Sequence, residues 1–367
     1  MQEVPSIWIS EDRTILINSL PQSNIIGAII SYTLGVFLVP FVIAFSKKEG
    51  LVDLPNERKI HKIPVSRLGG VAIWASTMLT FLFLVLLSYY PYGSLVSGIL
   101  LGGSLIFLLG LVDDVYNLDA KFKLVVQILI TTVVYLLGVK VDMTAFGHHI
   151  GLACNLGFLS YPITLLWIVG ISNAVNFIDG VDGLAGSVIT VNAITLAIVA
   201  LAMRPPNSIS ALIAFILAGS MLAFLTFNFN PAKIFMGDSG ALFSGFLLAS
   251  LSITGVMKGA TFAVLLPFVI LAVPIMDITY SSLRRIFKGK SPFVADAEHI
   301  HHKLLKAGFS QKITVAIMTS VAILAGGIAS LCVSKLTIIH YLIYIVIVIA
   351  LMLILSLFDI FTKKDKG

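Results

Sequence analysis

Apolar runs of about twenty residues, the length a helix needs to cross the hydrocarbon of a bilayer, recur along almost the whole chain. Eleven are legible, near 23–45, 69–88, 95–112, 122–138, 160–175, 184–203, 209–227, 241–257, 261–281, 313–333 and 341–361. In hydrocarbon a backbone amide finds no water, so runs of this length close their hydrogen bonds internally and fold as helices. Of the 367 residues 58% are apolar and 11% charged, too little polar surface to clothe a water-soluble globule. The expectation is an all-α polytopic membrane bundle of about 11 spans, forming a single transmembrane domain over 1–367. No fixed-period repeat, low-complexity tract or linker divides it.

Charge orients the bundle. Glu11, Asp12 and a single Arg13 precede the first run in place of a basic leader, so that run is expected to stay as a membrane helix. Alternating the spans from an outer N-terminus to an inner C-terminus puts nineteen of the twenty-four lysines and arginines on one side, in 46–67, 113–123, at Lys233, in 284–312 and after 361. That is the asymmetry of cytoplasmic loops. The +6 formal charge then belongs beside anionic headgroups, and no nucleic-acid module is visible. Cys154 and Cys332 form neither a CxxC pair nor a disulfide framework, which argues against redox chemistry or a zinc ribbon.

Fourteen of the eighteen acids fall on the same inner face as the bases. Positive-inside bias does not require this, and carboxylates near lipid are costly unless they are used. A secondary transporter concentrates ionisable groups at the bilayer midplane, whereas these spans are nearly clean there. The pattern points to a site at the inner membrane boundary, built from loops 46–67, 113–121, 176–183, 228–240 and 284–312.

Five clusters lie in those loops. Asp113 and Asp114 end the third run; two adjacent carboxylates repel unless they share a cation or a proton, which suits Mg²⁺ or a base. In NAVNFIDGVDGLAG, Asn173, Asn176, Asp179 and Asp182 recur every third residue, so neighbours share a helix face. In FNFNPAKIFMGDSG, Asn228, Asn230, Lys233 and Asp238 crowd a short loop, with Asp238 on a turn that opens the next span. In DAEHIHHKLLKAGFS, Asp296 reads as the N-cap and Gly308 as the terminator of a short helix bearing His299, His301 and His302. The histidines lack a zinc pattern and suit phosphate oxygens better. The first loop carries Lys59, His61, Lys62 and Arg67 before the close-packing pair Gly69 and Gly70. Pro267 and Pro274 are expected to kink the ninth run, and Arg284 and Arg285 to anchor its end at lipid headgroups.

Four of these motifs in this order, DD, NxxNxxDGxDGL, NPAxxFMGDxG and HxHH over about 47–312, resemble those of the polyprenyl-phosphate N-acetylhexosamine-1-phosphate transferase family. The resemblance implies an enzyme of the bacterial cytoplasmic membrane, with its active site on the cytoplasmic face. Such an enzyme moves a sugar 1-phosphate from a UDP-sugar to a polyprenyl (undecaprenyl) phosphate, with release of UMP and with Mg²⁺ or Mn²⁺. DAEHIHHKLL is similar to the bacterial branch that uses UDP-GlcNAc and begins teichoic acid, O-antigen or related cell-wall and lipopolysaccharide glycans. UDP-MurNAc-pentapeptide or another UDP-N-acetylhexosamine stays open as donor, and a sugar transporter is the rival of another class.

By the same resemblance Asp113 and Asp114 form the catalytic dyad, while Asp238 and Asn176 hold the metal. Asn173, Asp179, Asp182, Asn230, Lys59 and Lys62 meet the nucleotide sugar, and His299, His301, His302 and Arg67 meet the phosphates. A homodimer is a further implication. Either aspartate of the dyad serves as the base, and a covalent phospho-aspartyl route remains the alternative.

Overall fold

The computed structural model describes residues 11–53, 64–87, 93–142, 156–203, 206–257, 266–287 and 299–333. Helix α1 spans Glu11–Lys48, followed by a hairpin of β1 (Val52–Asp53) and β2 (Val65–Ser66). Then come α2 (Gly69–Leu86), α3 (Ser94–Tyr116), α4 (Ala120–Leu136), α5 (Ser160–Ile178), α6 (Leu184–Ala202), α7 (Ser208–Asn228) and α8 (Gly237–Leu251). Two shorter helices, α9 (Leu266–Ile270) and α10 (Ala272–Phe287), precede the seven-residue α11 (Ile300–Lys306) and the long α12 (Gln311–Cys332). The two-residue strands are a departure from the all-α expectation.

Eight segments among the described residues are long and apolar enough to cross a membrane. They match eight of the eleven expected runs. Of the other three, 122–138 folds as α4, a 17-residue helix. The run at 341–361 lies outside the described residues. The run at 261–281 is interrupted at Leu271, although Leu271 N–H still donates to Pro267 C=O (2.9 Å) and Ile275 N–H to Leu271 C=O (3.1 Å). Pro274 explains the interruption: it has no N–H to offer Ile270 C=O, and its ring crowds that carbonyl.

The bundle is arranged around α8: every residue from Ser239 to Val256 is buried, against 22% of the most apolar stretch of the α1 span. Apolar contact with lipid costs nothing, so a helix is drawn inward by close packing, which needs small residues. Helix α8 supplies Gly240, Ala241, Ser244, Gly245, Ala249 and Ser250, and its neighbours answer with glycines. A Cβ on Gly103 of α3 would lie 3.2 Å from the Phe243 ring, and one on Gly110 would lie 2.5–2.7 Å from the backbone of Ser239 and Asp238. These partners run in opposite directions along the chain, so α3 and α8 are antiparallel. Gly70 of α2 meets Gly240, and Gly245 meets Ser172 of α5. On the periphery Phe37, Phe41, Leu136 and Leu166 are at least 70% exposed, a surface that suits lipid chains.

The hairpin ties the first loop to the start of α8. Val52 pairs with Ser66, and Ser66 C=O accepts from Phe235 N–H (2.7 Å). Gly69 and Gly70 N–H then donate to the carbonyls of Phe235 (3.0 Å) and Met236 (2.8 Å). Two open amides of α2 are thereby satisfied, and the turn bearing Asp238 is held against α2.

Candidate active site

Helix α3 ends in a left-handed residue, Asn117 (φ 54°), and the chain restarts at once in α4, capped by Asp119, whose Oδ2 accepts from Lys121 N–H (2.9 Å). This tight reversal folds the first turn of α4 back over the last turn of α3. Lys123 Nζ lies 2.7 Å from Asp113 Oδ2 and 3.0 Å from Asp238 Oδ2. Leu118 N–H fixes the other Asp113 oxygen at 2.7 Å. One ammonium thus joins carboxylates from two helices.

Asp114 faces the other way. Its carboxylate accepts from Asp238 N–H (2.7 Å), Ser239 N–H (3.1 Å) and the Ser239 hydroxyl (2.6 Å). These are the open donors at the N-terminus of α8, so Asp114 works as a cap supplied from a neighbouring helix. Gly237 permits the approach. Its φ is +71°, and a Cβ there would lie 2.6 Å from an Asp114 oxygen.

Asp179 and Asp182 follow α5 on the turn that leads into α6. Burial pushes the Asp179 carboxyl up to about 7, and the charges of Asp238, Asp114 and Asp182 add to the shift. That mutual repulsion places Asp179 in the electrostatic field of the α3–α8 carboxylates. Asp182 is engaged otherwise: its Oδ2 accepts from Asn230 Nδ2 and Ala232 N–H, both at 3.1 Å. Asn230 also bonds Gln311 at the start of α12. Asn228 completes the stapling, accepting from Gly183 N–H (2.9 Å) and donating to Ile234 C=O (2.8 Å).

The histidines sit on and beside α11. Asp296 lies outside the described residues, and the N-cap position belongs to His299; the carboxylate that receives Ile300 N–H is Asp277 of α10 (2.7 Å). Gly308, at φ +96°, ends the helix as expected. His299 Nδ1 lies 2.7 Å from Asp277 Oδ2, and its ring stacks on Phe177 and on His301 at centroid distances of 5.5 and 5.8 Å. His301 is fully buried, and neither ring nitrogen has a hydrogen-bond partner among the described residues. Desolvation pulls its pKa down to about 4 and also lowers that of His302. A Cβ on Gly180 would lie 2.7 Å from His301 Nε2, so the bare glycine lets the histidine loop close on the DGVDG turn.

The residues expected from sequence therefore divide. Asp113, Asp114, Asp179 and Asp238 are brought together. Asp182 and Asn230 serve as loop staples, and Asn173 pairs with Gln127 of α4 (Nδ2 to Oε1 2.7 Å), tying α5 to α4. Asn176 lies in the last turn of α5, three residues before Asp179, half-buried. Arg67 is half exposed and forms an ion pair with Asp53 of β1. Lys59 and Lys62 lie outside the described residues. Sequence reasoning missed Lys123, whose signal was an Asp N-cap restarting a helix directly after the dyad. It also passed over Asp277 as a site residue, although an acid within an apolar run is itself a signal.

The chain matches the family model described as glycosyl transferase family 4 over residues 96–256, from α3 through the segment that follows α8. It is 36% identical to a Bacillus subtilis protein named "Probable undecaprenyl-phosphate N-acetylglucosaminyl 1-phosphate transferase", over 80% of each chain. It is 34% identical to the decaprenyl-phosphate N-acetylglucosaminephosphotransferase of Mycobacterium leprae, over 83% of this chain and 81% of the relative. To the undecaprenyl-phosphate alpha-N-acetylglucosaminyl 1-phosphate transferase of Escherichia coli K12 it is 30% identical, over 84% and 83%. At that identity and coverage, the chain belongs to glycosyl transferase family 4, among the polyprenyl-phosphate N-acetylhexosamine-1-phosphate transferases that its motifs resemble.

Proposed function

We propose that this protein transfers GlcNAc 1-phosphate from UDP-GlcNAc to a polyprenyl phosphate at the cytoplasmic face of a bacterial cell membrane, releasing UMP. Eleven spans with an outer N-terminus and an inner C-terminus belong to the same reading. The product, a sugar linked to lipid through a diphosphate, would open the assembly of an envelope glycan. The observation that carries this is the pairing of Asp113 and Asp238 through the Lys123 ammonium at the end of the central helices. A position flanked by two carboxylates and one ammonium at a membrane boundary suits a water-soluble diphosphate meeting a lipid phosphate.

In the proposed reaction an oxygen of the lipid phosphate attacks the β-phosphorus of UDP-GlcNAc. A new P–O bond forms as the bond from that phosphorus to the UMP oxygen breaks, and UMP leaves with the electron pair. Both partners are anions, so the protein's work is largely positioning and charge neutralisation. Asp113 is the better candidate for the base that prepares the lipid phosphate, because the Asp114 oxygens are already taken by the start of α8. Lys123 would exchange a carboxylate for phosphate oxygens as the substrates enter.

A divalent cation fits the donor set. Asp113 and Asp238 present hard oxygens toward one cationic position, and Asn176 lies at the adjacent end of α5. Among the described residues no group of three or more His, Cys, Asp or Glu side chains converges as a complete cage. Such a sparse set suits Mg²⁺, which keeps waters and takes phosphate oxygens as ligands. Asp238 and Asn176 would hold it, and when bound it neutralises charge on the diphosphate.

The test is a Mg²⁺ titration of GlcNAc 1-phosphate transfer by wild type and Asp238→Asn. The expected result is no wild-type turnover in chelator and a loss of at least about a hundredfold in the variant across the titration. Near-normal activity of the variant at every Mg²⁺ concentration would refute the role of Asp238. Offering UDP-MurNAc-pentapeptide alongside tests the donor, and faster transfer from it would replace UDP-GlcNAc in the proposal.

A further inference from the structure

Asp277 interrupts the apolar sequence of α10, and its side chain is 0% exposed. The two oxygens are used separately. Oδ1 accepts from Ile300 N–H at 2.7 Å, and Oδ2 lies 2.7 Å from His299 Nδ1. Ser281 Oγ approaches the same ring nitrogen at 3.3 Å, while Phe177 stacks on the ring face. His299 is thus held at its Nδ1 edge and by ring stacking with Phe177 and His301, with 12% of its side chain exposed.

A carboxylate accepts and does not donate, so the Nδ1 position carries the proton and Nε2 is the nitrogen left to meet a ligand. We propose that Asp277 is a positioning residue for the transfer: it fixes the angle of His299 and balances the charge that the ring carries once Nε2 is also protonated, so that Nε2–H donates to the diphosphate oxygens of the sugar nucleotide. The proposal rests on the reading of His299 as phosphate-facing. Carboxylates that hold a histidine in this way commonly change rates by 10–100-fold when removed, without touching substrate.

Asp277→Asn separates the two bonds. The amide oxygen still accepts from Ile300 N–H, but the amide N–H group now confronts Nδ1, so the ring can no longer carry a proton on both nitrogens there. Turnover and KM for UDP-GlcNAc are measured in purified wild type, Asp277→Asn, His299→Ala and the double variant, with melting temperature followed in parallel. Asp277→Asn is expected to lower kcat by about 10–100-fold with an unchanged melting temperature, and to cause no further loss in the His299→Ala background. Asp277→Glu, which keeps the acceptor, should recover part of the rate. The same cycle is run with Asp277→Glu if the Asn variant does not accumulate folded.

Losses that multiply in the double variant would mean that Asp277 acts independently of His299 and would overturn the proposal. Wild-type kcat in Asp277→Asn would do the same. Wild-type kcat in His299→Ala would instead remove the phosphate-facing reading of His299, and the proposal with it.

Discussion

Asp113 and Asp114 are adjacent in sequence and differ in use. Asp113 joins Lys123 and, through it, Asp238, whereas Asp114 holds three donors at the start of α8. Asp114→Ala leaves those donors without their acceptor, at about 1–3 kcal/mol for a buried orphan, so both stability and activity should fall. Asp113→Asn keeps an oxygen for Leu118 N–H and should lose activity while UDP-sugar binding and the melting temperature persist. Equal thermal losses in the two variants would contradict this division. The buried His301 makes a prediction about pH. Its folded pKa, about 4, lies below the ordinary value of 6.5, so the unfolded chain binds the extra proton first. The stability it contributes is complete above pH 6.5 and is lost as pH falls toward 4, by up to about 3 kcal/mol. His301→Gln should flatten that acid limb of the melting curve, and an unchanged limb would show that other groups set it. That Asp113, Asp179 and Asp238 gather at one end of the spans was legible from residue type and spacing. Asp182 and Asn173 were not separable from them, because a staple and a ligand require the same carboxylates and amides. Only the fold shows which oxygens are already taken.

Among the elements, α8 carries the architecture because small residues let α2, α3 and α5 approach its backbone. Gly110 packs where Asp113 and Asp114 must meet Asp238 and Ser239. Gly110→Ala would force its Cβ within 2.5–2.7 Å of the Ser239 and Asp238 backbone. Overpacking of this kind costs about 1–3 kcal/mol and would displace α3 from α8, so activity should fall at least about tenfold. Gly170→Ala on α5 is the control, because a Cβ there meets nothing within 4 Å. Equal activity of the two variants, assayed side by side, would contradict the close-packing argument. Most elements were readable from the apolar runs. The interruption at Leu271 was foreshadowed by Pro267 and Pro274, but the turn at Asn117 was not legible, since it depends on which backbone groups pair at a helix end. Lys123 was lost with that turn: it reaches Asp113 only because α4 doubles back.

At the scale of the molecule, loops far apart in sequence converge at one end of a bundle. Ser66 meets the stretch before α8, Asn230 meets both Asp182 and Gln311, and Asp277 meets His299 and Ile300. Clustering of acids and bases at one end of the spans was visible in the sequence; which loop touches which was not, because long-range pairing leaves no local periodicity. Under the proposed function, a soluble sugar nucleotide reaches these loops while a lipid phosphate arrives along the bundle. The claim that phosphate travels with the sugar is tested by incubating purified protein with polyprenyl phosphate, Mg²⁺ and UDP-GlcNAc labelled in the sugar, following lipid-phase label and released nucleotide together. Label in the lipid with UMP in equal amount is the predicted result. Release of UDP, or no labelled lipid from folded protein, would contradict it.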